Sequence, residues 1–463
     1  MTWSPTSSAR LAERDEVALC VDFGSTFTKA GLVDLRCGRI VARAEHATTL
    51  PGPDGTGDIL DGYDACVAAL ADADPRALAA EVLACSSAGG GLRIAVVGNE
   101  ELVTAEAGRR VALSSGGKVV AVLAAASRAA DSAAWRTLSH TTRPDVVLLT
   151  GGTDGGNSEV LLEAARGLVA GGWTGPVVVA GNVDARAEVG AILGAVPHVL
   201  ADNVVPQIGV LAPESARTAV REMFLAHVIG GKHLSARSDF AGMVRGATPD
   251  VVLTGVEVLA TGVGDVVVVD VGGATTDVHS VVELDPDSVG REVVATTRVT
   301  RTVEGDLGMR WSALSTVTDL PELADAARRR HDDPAFLPDT DAERDADEQI
   351  ARAAVGLALR RHAGRSKVVL SPEGRVVERT GKDLRRVGLL VGSGGVLRHG
   401  RPGVAGRVLA GSTGDVGGGW QLPSHPRVVV DDDYVLAAAG LLAAAHPEAA
   451  YRLAMTLTGP DAG

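Results

Sequence analysis

Two segments far apart in the chain repeat one pattern, and that repetition restricts the fold more than any other feature. Val21-Asp22-Phe23-Gly24-Ser25-Thr26-Phe27-Thr28-Lys29 and Val269-Asp270-Val271-Gly272-Gly273-Ala274-Thr275-Thr276-Asp277 each run from an apolar stretch into an acid, a glycine turn and a cluster of hydroxyls. β-Branched residues follow each turn, so each segment predicts a hairpin between two strands. Glycine lets backbone N–H groups come close to a bulky anion. Two such turns, each carrying an Asp, suit the phosphates of a nucleotide and a hydrated Mg²⁺. Two copies in matching order imply a duplicated domain with a cleft between the halves.

A chain of 463 residues is too long for one ordinary core and predicts two or more domains. Its 46% hydrophobic and 22% charged content is that of a globular protein. The formal charge of −14, with no basic block, argues against a nucleic-acid surface. Residues 1–15 are polar and lack the apolar core of a secretory signal. The longest apolar stretches, such as 434–446, are too short or too alanine-rich to span a bilayer. Cys20, Cys37, Cys66 and Cys85 show no C-x-x-C spacing and read as buried free thiols, which fits a reducing cytoplasm.

Along the chain, residues 16–23, 29–34 and 39–48 predict three successive strands, followed by a helix over 58–71 and a strand over 81–86. Short apolar runs at 92–97, 118–123, 145–149, 176–180 and 198–200 then alternate with helical stretches, the mark of a doubly wound parallel sheet. Helices are expected at 214–229 and at 249–261, the latter ending at Gly262. Residues 265–300 repeat the opening strands. The charged helices at 322–330 and 341–362 read as solvated faces with intrahelical ion pairs. A loop is expected over 400–419, and a buried closing helix over 434–445. The division that follows is a first lobe over 15–90, an inserted parallel α/β domain over 91–203 and a return to the first lobe over 204–262. A second lobe over 263–430 and C-terminal helices over 431–463 complete it.

Asp22 ends a buried strand, where an unpaired carboxylate is costly, so a cation or a water network is expected beside it. Ser25, Thr26 and Thr28 offer hydroxyls, and Lys29 a positive charge for phosphate. Taken alone this first turn is equally an ordinary polar hairpin. The second turn asks for more, because Asp270 and Asp277 flank it and Asp277 is placed to orient water or a Mg²⁺ ligand. A third segment, Gly392-Ser393-Gly394-Gly395, follows a buried strand and precedes a helix. Its bare backbone suits a base or ribose, and the helix end favours anions. No histidines fall at metal-ligand spacing, and no Gly-x-Ser-x-Gly context supports a hydrolase triad.

The order of these three motifs resembles the actin-like ATPase superfamily, whose ribonuclease H-like lobes serve sugar kinases, heat-shock ATPases and actin. Helices near 248–262 and 434–445, the latter with Gly440, fall where that superfamily places its connecting helices. A closer resemblance is to the glutamate mutase L-type accessory proteins. It is carried by the two turns and by Ser86-Ser87-Ala88-Gly89-Gly90-Gly91-Leu92-Arg93, Leu148-Leu149-Thr150-Gly151-Gly152-Thr153-Asp154-Gly155-Gly156-Asn157, Ala180-Gly181-Asn182 and Thr302-Val303-Glu304-Gly305-Asp306-Leu307-Gly308-Met309-Arg310.

The resemblance implies ATP and Mg²⁺ as ligands. It implies nucleotide contacts from Gly24, Ser25, Thr26, Lys29, Gly272, Gly273, Thr275, Thr276, Glu304, Gly392, Ser393, Gly394 and Gly395. Asp22, Asp270 and Asp277 become the catalytic acids, with Asp22 and Asp270 holding the metal through water. For Glu304 and Asp306 the alternative is capping of a helix over 304–315. The loop over 150–157 reads either as a second small-molecule or partner surface or as a packing loop. Two departures matter: only Glu257, about one helical turn late, stands for the hydrolytic glutamate of heat-shock ATPases, and Ala274 replaces a third glycine. Slow hydrolysis, with nucleotide as a conformational switch, is the expectation. The implied role is a chaperone-like factor that reactivates or maintains an adenosylcobalamin-dependent aminomutase, whose subunits are its partners. A small-molecule kinase and a nucleotide-dependent scaffold are the alternatives.

Overall fold

The computed structural model describes residues 17–52, 57–99, 103–124, 132–284, 297–371, 374–414 and 417–459, with 132, 367–371 and 374–380 as backbone only. The polar start and residues 285–296 of the expected strand repeat lie outside them. The chain opens with a meander of β1 (Val17–Phe23), β2 (Phe27–Asp34) and β3 (Arg39–Ala47). Val17, Leu19, Val21 and Phe23 are fully buried, as a continuous apolar run in a central strand should be. The helix Ile59–Ala73 starts at a capping box in which Asp58 and Asp61 exchange side-chain and backbone bonds. β4 (Glu81–Ser86) then lies parallel to β1.

Five parallel strands follow: β5 (Leu92–Gly98), β6 (Gly117–Ala124), β7 (Val146–Leu149), β8 (Val177–Val179) and β9 (His198–Leu200). Their order is β6-β5-β7-β8-β9. Helices Thr104–Ser114 and Glu214–Met223 pack on one face, and Glu159–Ala170 with Arg186–Leu193 on the other. This is the doubly wound insertion. β10 (Val244–Ala247) returns to pair with β4, giving the sheet order β10-β4-β1-β2-β3.

The second half repeats that plan. β11 (Val266–Val271), β12 (Thr276–Val281) and β13 (Val299–Glu304) form the meander. β14 (Arg365–Ser371) and β15 (Gly374–Thr380) make a separate ribbon, and β16 (Leu389–Ser393) and β17 (Arg427–Val430) complete the order β13-β12-β11-β16-β17. In the first and last of the three five-stranded sheets an antiparallel meander is extended by two strands parallel to its first. The fold is therefore α/β with duplicated ribonuclease H-like lobes and an inserted doubly wound parallel sheet, as expected.

Contacts divide the chain into two units. One runs through Gly255 and takes back Leu436–Thr456, and the other begins at Val256 and runs to Val435. The helices Thr248–Val263 and Val435–Leu442 meet within the first unit at bare backbone. A Cβ on Gly255 would stand 2.0 Å from the Leu436 carbonyl oxygen, and one on Gly440 would stand 1.9 Å from that of Val251.

Several local expectations change. The helix expected to stop at Gly262 continues to Val263, and Gly264, at φ +76°, terminates it. The loop expected over 400–419 contains the helix Val404–Val408. The charged helices are not merely solvated faces, because the fully buried Arg330 of Ala324–Asp332 pairs with Asp347 and Glu343 of Asp341–His362. The four cysteines are free, but Cys37 is exposed. Among the described residues no helix is long and apolar enough to cross a membrane.

Candidate functional site

The first turn is closed by the Gly24 amide donating to the Phe27 carbonyl at 3.1 Å. A Cβ on Gly24 would sit 2.6 Å from that oxygen, so the turn requires glycine. Thr48, from just beyond β3, ties the turn down: its hydroxyl donates to the Gly24 carbonyl at 2.9 Å and its amide to that of Thr26 at 2.9 Å. The amides of Ser25 and Thr26 donate to nothing among the described residues. Thr28 is buried and bonds the Thr48 hydroxyl, so it supports the turn from below. Asp22 lies opposite Lys29 across β1 and β2, with 3.7 Å between the charged groups. It also accepts the Thr248 hydroxyl at 2.6 Å. Cys85 stands beside it at 3.6 Å, its thiol kept protonated by burial.

The second turn has the same skeleton. The Gly272 amide donates to the Thr275 carbonyl at 2.9 Å, and Asp270 lies opposite Asp277, the position Lys29 holds in the first hairpin. The segment after β13 brackets this turn. The amides of Met309 and Arg310 donate to the Gly272 and Gly273 carbonyls at 3.0 and 2.8 Å, and the Ser312 hydroxyl donates to that of Ala274 at 2.6 Å. A Cβ on Gly308 would meet the Gly273 oxygen at 2.7 Å, so close bracketing needs that glycine too. The amides of Gly273 and Ala274 remain without acceptors among the described residues. Both turns thus have their carbonyls tied back by protein donors and successive N–H groups left over, an arrangement of partial positive charge suited to oxyanions.

The facing acids of the second hairpin are balanced differently from Asp22 and Lys29 of the first. Asp277 accepts from the buried Arg301 of β13 at 2.8 Å, while its Oδ1 is buried with no partner among the described residues. His279, opposite Arg301 in the register, is held far below its ordinary pKa by burial and by that guanidinium. Thr276 is buried, its hydroxyl donating to the Leu307 carbonyl at 3.1 Å.

Within the same unit β16 runs parallel to β11, which sets Ser393 beside Asp270. Gly394, at φ +105°, passes so close that a Cβ would stand 2.2 Å from the Val271 oxygen. The third motif therefore abuts the second turn, and Gly395 is exposed with open space where a side chain would be. The helix after it, Gly395–Arg398, is a single turn, so the helix-end field expected there is small. No helix begins at Glu304. That residue ends β13, and the next helix is Ala313–Thr316. Arg361 binds Glu304 at 2.7 Å and Asp306 at 2.6 and 2.8 Å, so both carboxylates are held by a guanidinium and cap no helix. The same guanidinium holds the Asp306 carboxyl below its usual range.

With this geometry in place, comparison with known proteins is decisive on family. A family model described as MutL protein matches residues 18–457. The chain belongs to the MutL protein family. Protein MutL of Clostridium tetanomorphum is 34% identical over 461 residues, covering 94% of this chain and 97% of that protein. The family is the accessory group that the sequence resemblance points to, and the match spans both ribonuclease H-like sheets and the insertion that interrupts the first of them. Among solved structures, nucleotide-free acetone carboxylase is similar at 15% identity and a TM-score of 0.38, over 93% of this chain and 70% of that one. Ethanolamine utilization protein EutJ from Carboxydothermus hydrogenoformans is similar at 10% identity and a TM-score of 0.27, over 96% and 90%. At such scores neither likeness adds to what strand order already establishes.

Sequence reasoning missed the residues that hold the turns and their acids from a distance: Thr48, Thr248 and Ser312, with Arg301 on Asp277 and Arg361 on Glu304 and Asp306. The stretch 302–310 carried a signal as a family motif, but it was read for its acids and not for the Met309 and Arg310 amides that bracket the second turn.

Proposed function

We propose that this protein binds ATP with Mg²⁺ and acts in the cytoplasm as an accessory ATPase that reactivates or maintains an adenosylcobalamin-dependent aminomutase such as glutamate mutase. One observation carries the nucleotide reading: two hairpins of matching register have their turn carbonyls satisfied internally and the amides of Ser25, Thr26, Gly273 and Ala274 left to donate. Phosphate oxygens are the natural acceptors, and Lys29 adds a full positive charge. Thr275, Thr276, Gly272 and Gly24 shape the turns, and Gly392 to Gly395 offer bare backbone for adenosine.

Asp22 and Asp270 suit a metal bound through water. Among the described residues no group of three or more candidate ligands gathers, so the ion would keep most of its water and share phosphate oxygens, as Mg²⁺ commonly does. When bound it would neutralise phosphate charge. Asp277, anchored by Arg301, is the acid proposed to orient water, its buried Oδ1 having no protein partner among the described residues. Glu257 is the only acid in the stretch that would hold a hydrolytic glutamate, and it comes a turn late, which supports slow turnover. A nucleotide acts as a switch only through contacts that differ between its states, here those to the γ-phosphate.

The test is a purified mutase holoenzyme inactivated by turnover. Adding this protein with Mg-ATP should restore activity, whereas protein or nucleotide alone should not. No recovery would overturn the accessory role, and rapid phosphate release without the mutase would overturn the slow switch.

A further inference from the structure

The glycine-rich loop after β7 repeats, on unrelated residues, the hydrogen-bond logic of the two turns. The Gly151 carbonyl accepts the Asn182 amide at 2.9 Å, and the Thr153 carbonyl accepts the Gly156 amide at 3.0 Å. The Gly152 carbonyl accepts Nδ2 of Asn203 at 2.9 Å, and the Gly156 carbonyl accepts Nδ2 of Asn182 at 3.1 Å. Against these tied-back carbonyls, the N–H groups of Gly151, Gly152 and Thr153 donate to nothing among the described residues. Gly151 is buried, and a buried backbone N–H without an acceptor is rare in native proteins.

The strain of the loop is specific. Gly152 lies at φ +69°, where a Cβ would stand 2.3 Å from the Asn157 carbonyl oxygen. Gly181 passes so close that its Cβ would meet the Gly151 oxygen at 2.6 Å. Two carboxamides with almost no solvent exposure, Asn182 and Asn203, hold this shape. The nearest acids serve the loop itself: Asp154 Oδ1 accepts from Asn203 and the Val183 amide, and Asp184 accepts from the Gly155 amide.

Position supplies an independent argument. The order β6-β5-β7-β8-β9 reverses between β5 and β7, and the helices that follow these two strands lie on opposite faces of the sheet. Ligands of open α/β sheets bind outside the carboxyl ends of the strands at such a reversal. Gly151 stands there, with Asn99 at the end of β5 only 3.6 Å from where its Cβ would be. A loop that merely packed would not leave a buried donor unsatisfied at this point.

We propose that the loop is a second anion site, independent of the nucleotide turns, that takes a phosphate-bearing small molecule on the amides of Gly151, Gly152 and Thr153. Three consecutive donors outnumber the oxygens of a carboxylate and match those of a terminal phosphoryl group. Hydrogen–deuterium exchange on the full chain tests this with inorganic phosphate, with acetate as the carboxylate arm and chloride at matched ionic strength as the control. Phosphate should slow exchange saturably in the peptide spanning β7 and the loop, and acetate should do so less. Thr153→Asp places a like charge beside the amides and should raise the half-saturating phosphate concentration about tenfold. Thr153→Ser should leave it unchanged. No slowing, equal slowing by chloride, or an unaltered Thr153→Asp response overturns the site, and equal slowing by acetate overturns its assignment to phosphate. Peptides covering 22–30 and 268–278 report ATP separately, so failure at the loop is distinct from failure of the nucleotide reading.

Discussion

Asp22 shows how a single residue depends on distant ones. Its carboxylate is mostly shielded from solvent and is made tolerable by Lys29 on the neighbouring strand and by Thr248, 226 residues further along. Thr248→Val keeps the shape and removes the hydroxyl donor. It should lower stability by about 1.5 kcal/mol, the contribution of a hydrogen bond to a charged acceptor. Urea unfolding of the variant beside the parent checks this, and an unchanged midpoint would mean that water replaces the hydroxyl without cost. The buried histidines make a pH prediction. His279 and His362 are pushed well below their ordinary value of 6.5, chiefly by burial, with Arg301 acting on the first and Lys382 on the second. Below about pH 6.5 the unfolded chain takes up protons that the folded chain refuses, so stability is present above that pH and is lost progressively as pH falls toward the depressed folded values. The urea midpoint should therefore drop between about pH 7 and pH 5, and His279→Gln should flatten the slope. A parent protein equally stable at both ends of that window would refute the neutral buried assignment.

At the scale of elements, the crossing of Thr248–Val263 with Val435–Leu442 rests on two glycines that allow backbone contact. Gly440→Ala would drive a methyl to 1.9 Å from the Val251 carbonyl oxygen and force the helices apart, at a cost of about 3 kcal/mol or more. Gly242→Ala, in the short helix Asp239–Met243 with nothing within 4 Å of the added carbon, is the control and should be neutral or slightly stabilising. Thermal unfolding of the pair separates packing from helix propensity, and similar losses in both would defeat the crossing argument. The same elements show what sequence can carry. β1, β11 and the strands of the insertion were legible because each is an apolar run ended by glycine or a polar turn. Asp341–His362 was legible from its helical period. The segment 304–315 misled, because acids that look like helix caps are claimed by Arg361, a partner that no local pattern reveals. β10 and β17 are four-residue strands whose pairing comes from the sheet already present, so their own sequence carried little signal.

Over the whole molecule the charge is −14, so general attraction would not bring the proposed nucleotide to this chain, and local groups would have to do it. The turns themselves were readable, whereas the donors that tie back their carbonyls come from 22 to 38 residues away and were not. The two turns belong to different units, and each carries its proposed phosphate contact on its own residues. Ser25→Asp and Ala274→Asp each place a negative charge on an exposed turn position, where folding should be unaffected. Each should weaken Mg-ATP binding, followed by titration calorimetry, about tenfold by repulsion of the phosphates. A variant that binds Mg-ATP with the parent's affinity would remove its turn from the proposed phosphate contacts.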